Sequence, residues 1–231
     1  LKQSGIKYDK TYLNYTDNVS HYSTNYKKAL NLGVYNVDFA FAGLFGKNQD
    51  GLEYTTVIKK LADDLFVGQF YETEAMKKMT ITDTGMDSLL SITAQNFNNL
   101  NHFLQTQHRE RLSILMLTGA WIEALHILCQ QAKLDPHNGR LLDSICGQKL
   151  VLNNILLLLS LYRDTHPDIA MLERDLKALK HHFDNVVITH TQPSASNGVK
   201  DVVVVRKNSI HCQDIDSIRS AVNMVRARVV N

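Results

Sequence analysis

Apolar residues recur every three to four positions along most of this chain, and only towards its C-terminal end does the spacing give way to short β-branched runs. The periodicity predicts helices over 17–45, 52–65 and 72–79, another starting at Asp83 or Thr84, and two more over 109–134 and 140–162. Asp17 reads as an N-cap, Gly46 in "GKNQDG" closes the first helix, and "DPHNG" closes the fifth. "THPD" then reads as a helix start, with Thr165 as cap, Pro167 in the first turn and Asp168 three residues beyond the cap. From there Ile169, Leu172, Leu176, Leu179 and Phe183 alternate steps of three and four, the spacing of a bundle seam. Ile215, Ile218, Val222, Val225 and Val229 mark a closing helix from Asp214.

The pattern changes between those last two helices. "VVITHT" and "VVVVRK", separated by "QPSASNGVKD", read as a β-hairpin over about 186–207 with a long loop. A two-stranded hairpin is marginal alone, so one of its faces must rest on the helices. Residues 1–16 are polar and tyrosine-rich and read as an extended arm, and 17–231 as a single helical-bundle domain. The expected class is therefore mainly α: a multi-helix bundle with a C-terminal β-hairpin and a final helix.

Composition narrows the function mostly by exclusion. An apolar fraction of 44% and a charged fraction of 21% are those of an ordinary soluble globular protein. With 25 basic and 23 acidic residues the formal charge is +2, and the basic pairs are dispersed, so no nucleic-acid partner is expected. None of the three cysteines forms a C-x-x-C pair, and Cys129 and Cys146 sit in apolar helical patterns as small buried hydrophobes. The run "KLVLNNILLLLSLY", broken by Asn153, Asn154 and Ser160, is shorter than the roughly 18–20 residues that cross a bilayer, so it reads as a core helix and no transmembrane helix is expected. Because the chain begins at Leu1, an upstream segment such as a signal peptide is expected. Asn14 and Asn18 each begin a glycosylation sequon.

Candidate chemistry gathers in "LTGAWIEALHIL", residues 117–128. Ile114, Leu117, Trp121, Leu125 and Leu128 fall on one helix face, and Leu112, Met116, Gly119, Glu123 and His126 on the other, which marks a central element. Gly119 would let a neighbouring helix come close. Glu123 and His126 share the E-x-x-H spacing of carboxylate-bridged di-metal bundles, but a second such motif is missing, and Asp38, Asp87 or Asp143 would have to stand in. The expected reading is a Glu and a His on a partly wetted face, hydrogen-bonded to neighbours, with no metal, no cofactor and no catalytic residue. Gly119, Trp121, Ala124, Leu128 and Pro136 echo half of a tetratricopeptide unit, without a second copy about 34 residues away. A looser echo links Gly33, Tyr35 and Asp38 with Gly119, Trp121 and Glu123, and reads as duplication of a helical hairpin rather than as a shared site. His181 and His182 suit the negative end of their helix, and His190 and His211, near the hairpin, could meet across strands but have no further zinc ligands in sight.

"ALNLGVYNVDFAFAGLFG", "TGAWIEALHI", the terminal hairpin and the Ile/Val-stepped last helix together resemble a family of uncharacterised exported, lipoprotein-like proteins of Bacteroidetes, over most of the chain from about Asp17. The resemblance implies a periplasmic or outer-membrane-associated helical domain, with a lipid anchor upstream, and carries over no catalytic residue. The expected function is a non-enzymatic domain that binds a partner protein or small ligand at the cell envelope through the polar arm or the hairpin loop. The alternatives are a metal-dependent, di-iron-like oxidoreductase using Glu123 and His126, and a helical-repeat scaffold.

Overall fold

The structure, a computed structural model, describes residues 6–71, 86–184, 186 and 212–231, of which 86–94 and 212–214 are described by their backbone. Seven α-helices run through them: α1 (Asn25–Leu44), α2 (Asn48–Asp64), α3 (Met86–Thr106), α4 (Glu110–Leu134), α5 (Gly139–Ser160), α6 (Pro167–His181) and α7 (Cys212–Val230). The mainly α, multi-helix architecture read from the periodicity is what the chain adopts, and no strand occurs among the described residues. The helix expected over 72–79 and the hairpin over about 186–207 lie outside those residues, apart from Val186.

Local chemistry explains where the helices begin and end. α1 starts at Asn25, eight residues after the expected Asp17, because the Thr24 side chain accepts the Lys27 N–H at 3.2 Å and Thr16–His21 form a separate 3-10 turn. It stops at Phe45, and Gly46 takes φ 64, the left-handed value for which glycine needs no side-chain room. Asn138 caps α5 by accepting the Leu141 N–H at 3.2 Å. At the start of α6 the cap is His166 rather than Thr165, and it makes no side-chain cap bond; the Thr165 hydroxyl donates instead to the Tyr162 carbonyl at 3.2 Å. Pro167 then supplies the preset φ of a first helical turn.

The described chain divides into two compact units, and α4 and α7 contribute to both. One unit is Tyr8–Ala124 with Arg226–Asn231. Its N-terminal segment is a strap of short 3-10 turns and not a free arm: Leu13, Asn14 and Tyr22 are all buried, and the Tyr8 ring stacks on Phe41 at 5.6 Å. α1 and α4 cross at two glycines. A Cβ added at Gly119 would stand 1.9 Å from the Leu30 carbonyl oxygen, and one at Gly33 would stand 1.9 Å from that of Met116. Backbone lies against backbone there, which is the close approach expected of Gly119.

The other unit holds Leu125–Val225 with Ile6 and Lys7, whose backbone N–H and carbonyl are both bonded by the Gln131 amide. Its core is built on the α6 seam, with Ile169, Leu172, Leu176, Leu179 and Phe183 each at most 3% exposed. Ile215, Ile218, Val222 and Val225 of α7 are buried as their spacing requires, as are Cys129 and Cys146.

Length and apolarity do not set α5 apart from a membrane span as the sequence run suggested. The helix is 22 residues long, and both it and α4 are long and apolar enough to cross a bilayer by length and composition. Of the most apolar stretch in each, 72% is buried in α4 but only 39% in α5.

Candidate functional site

α4 is buried on both of its faces, as a central element: on the first Trp121 is 6% and Leu125 1% exposed, although Leu117 reaches 38%, and on the second Glu123 is 0% and His126 7% exposed, so that face is not a partly wetted surface. A carboxylate in such a place must be compensated. Arg226, from the last turns of α7, does so bidentately: Nε donates to Glu123 Oε2 at 2.6 Å and Nη2 to Oε1 at 2.7 Å. The same Nη2 donates to the Tyr12 carbonyl in the strap at 3.1 Å. Burial alone would lower the Arg226 pKa, but the bonds and charge of Glu123 outweigh it and raise it.

Asp38 of α1 completes the cluster. It is fully buried; its Oδ2 accepts the Asn14 N–H at 3.1 Å, and its Oδ1 meets no donor among the described residues. The hydrogen-bonding neighbour of that carboxyl is Glu123. Two carboxyl groups can share such a contact only around a proton. Burial first, and then the negative charge of Glu123, hold the Asp38 carboxyl well above the usual carboxylate range, with Arg226 and the Asn14 N–H pulling the other way. Two acids thus face one guanidinium in the interior, and the balance of these effects favours the protonated form of Asp38.

Around this cluster runs a polar network tying the last helix to the first. The final carbonyls of α7 have no partner within their own helix. Lys27 Nζ reaches the Arg228 carbonyl at 2.7 Å, Asn31 Nδ2 that of Val229 at 2.9 Å, and the Tyr22 hydroxyl that of Val230 at 3.0 Å. Asn14 sits beneath them, 2% exposed, its amide donating to the Tyr22 hydroxyl at 3.0 Å while its side-chain oxygen accepts from Asn18 at 2.7 Å. The asparagine of the first sequon is therefore a core residue, although Tyr15 beside it is exposed. Burial raises the pKa values of Tyr35 and Tyr54, neutral phenols whose hydroxyls donate to the Tyr15 and Asn14 carbonyls.

His126 belongs to different company. Its Nδ1 lies 2.8 Å from Asn223 Oδ1, which also accepts from Gln130 Nε2 at 3.3 Å, so the first contact is a hydrogen bond when Nδ1 carries the proton. Close by in sequence, burial pushes the Cys129 thiol up to about 12, which removes its nucleophilic form at neutral pH. Of the other acids weighed as ligands, Asp38 is brought to Glu123, Asp143 lies on α5 in the other unit, and the Asp87 side chain is outside the described residues. No group of three or more His, Cys, Asp or Glu placed to hold a metal occurs among the described residues. To ligate a metal, Glu123 would have to give up its guanidinium.

Sequence reasoning missed Arg226 and the meeting of Asp38 with Glu123. The first had a signal: Arg226 lies four residues after Val222 and three before Val229, on the apolar side of its helix, where a cation requires a buried acid. The echo between 33–38 and 119–123 was the second signal, since the two segments pack on each other at their glycines and their acids meet.

At the surface of the same unit an open groove of about 580 Å³ runs between the strap, at Asp17, Val19 and Ser20, and α2, at Glu53, Thr56 and Val57. Lys10 borders it, bonded to Asp50 at 2.6 Å and to Glu53 at 2.9 Å. Compared with protein families, curated proteins and solved structures, the chain matches none.

Proposed function

We propose that this chain is a non-enzymatic, extracytoplasmic helical domain that binds a partner protein or small ligand at the cell envelope, as the resemblance to exported lipoprotein-like proteins of Bacteroidetes implies. One observation carries the non-enzymatic part: Glu123, the strongest acid–base candidate, is 0% exposed with both oxygens engaged by Arg226. A group in that state stabilises a fold and does not meet a substrate. The groove between strap and α2 is the binding surface the reading favours, with Asp17 selecting a cationic group and Val19 and Val57 an apolar one. The reading includes the hairpin expected over about 186–207, whose polar loop is a second surface.

A photo-crosslinking residue at Ser20 or Thr56 tests it. The expected result is capture of one envelope component from the rim of the groove, and none from the same residue placed at exposed Lys177. Reproducible turnover by the purified domain, abolished by Glu123→Gln, would sink the proposal. So would a stoichiometric transition metal in protein purified without chelators that disappears in Glu123→Ala and His126→Ala.

A further inference from the structure

Leu150 to Tyr162 contains no charged residue, although the segment lies at the molecular surface along one side. On that side Gly147, Leu150, Asn154, Leu157 and Leu161 step by three, four, three and four. Leu150 is 40%, Leu157 66% and Leu161 68% exposed, Val151 beside them 38%, and nothing stands within 4 Å of the outer side of Gly147. The same spacing on α6 is completely used inside its unit, every member being at most 3% exposed. α5 therefore carries a helix-pairing seam on which nothing packs among the described residues.

We propose that this seam is where two copies of the chain pair, α5 against α5, about a two-fold axis. Three features favour a second copy over other occupants. The leucines alternate with an Asn at the central position of the stripe, and an Asn within a leucine seam is best satisfied by the same Asn of an identical helix. The face is uncharged, so an identical face opposes it without repulsion, and the flanking cations are already engaged: Lys149 donates to the Val186 carbonyl at 2.7 Å, and Arg163 pairs with Asp164 at 3.3 Å and Glu173 at 3.6 Å. Lastly, the stripe from Gly147 to Leu161 spans roughly 21 Å of helix, which gives an interface at the small end of the stable range. An interface of that size gives a weak, reversible pair that dissociates in the micromolar range. This inference is independent of the groove.

Sedimentation velocity of the full chain between about 1 and 500 μM, a range bracketing that affinity, reads it directly. The expected result is a reversible monomer–dimer equilibrium that Leu157→Asp weakens by more than about tenfold, with an unchanged far-UV spectrum and melting temperature because the side chain is exposed in the monomer. Asn154→Leu should tighten self-association by about tenfold or admit larger oligomers, since the Asn restrains both. A chain that stays monomeric throughout overturns the proposal, as does a dimer indifferent to Leu157→Asp and Leu161→Asp. Flotation of a monomer with phosphatidylcholine vesicles, lost in Leu157→Asp, overturns it in favour of a lipid surface.

Discussion

The interior where α4 meets α7 through Glu123 and Arg226 is built on an ion pair, whereas the one around His126 and Asn223 is built on an imidazole–amide contact, although each member lies only three residues from its counterpart along the same helix. The ionic region gathers a strap carbonyl, an acid from α1, an acid from α4 and a guanidinium from α7, and each is needed because the others are out of water. In the second region one imidazole and one glutamine amide meet the same asparagine oxygen. A shared E-x-x-H face did not give Glu123 and His126 a shared task. The difference teaches that spacing along a helix decides which side chains point the same way, and their partners decide what they do.

Breaking the ionic region should have the largest effect. Glu123→Ala leaves Arg226 buried opposite a single acid and is expected to cost about 3–5 kcal/mol, read as a lower urea midpoint. Gly119→Ala, which drives a methyl into the Leu30 carbonyl, should cost about 3 kcal/mol, and Gly33→Ala a similar amount; compensating helix shifts would show as a changed m-value. His126→Ala, in the second region, should cost only about 1–2 kcal/mol, because Gln130 still donates to the Asn223 oxygen.

The smallest effect sharpens the contrast by pH. Folding raises the Asp38 carboxyl above its ordinary 3.8, so the native state keeps a proton that the unfolded chain releases. Stability from this group is whole below that ordinary value and falls as pH rises towards the native one. Asp38→Asn keeps the shape without the titration. Unfolding at pH 5 and pH 8, on either side of neutrality, should show the variant within about 1 kcal/mol of the parent at the lower pH and gaining on it at the higher. Equal pH slopes would mean that no proton is held between Asp38 and Glu123.

Much of this architecture was legible before any coordinates. α4 and α5 run within two residues of their expected ends, the α6 and α7 seams are buried where their steps of three and four put them, and Gly119 admits a second helix. Each of these depends on periodicity or on the absence of a side chain, which are properties of a short stretch. The strap was not legible, because its polar Asn14 and its Tyr22 are buried by partners in α1, α2 and α7 that no local pattern announces.

The site divides the same way. That Glu123, His126 and Gly119 share a face follows from 3.6 residues per turn. That this face is fully buried, that Arg226 crosses 103 residues of chain to reach Glu123, and that burial beside Glu123 raises the Asp38 carboxyl were decided only in three dimensions. The chain specifies its helices through interactions a few residues apart. The state of a buried charge depends on everything that replaces its water, and those groups come together only when the tertiary structure does.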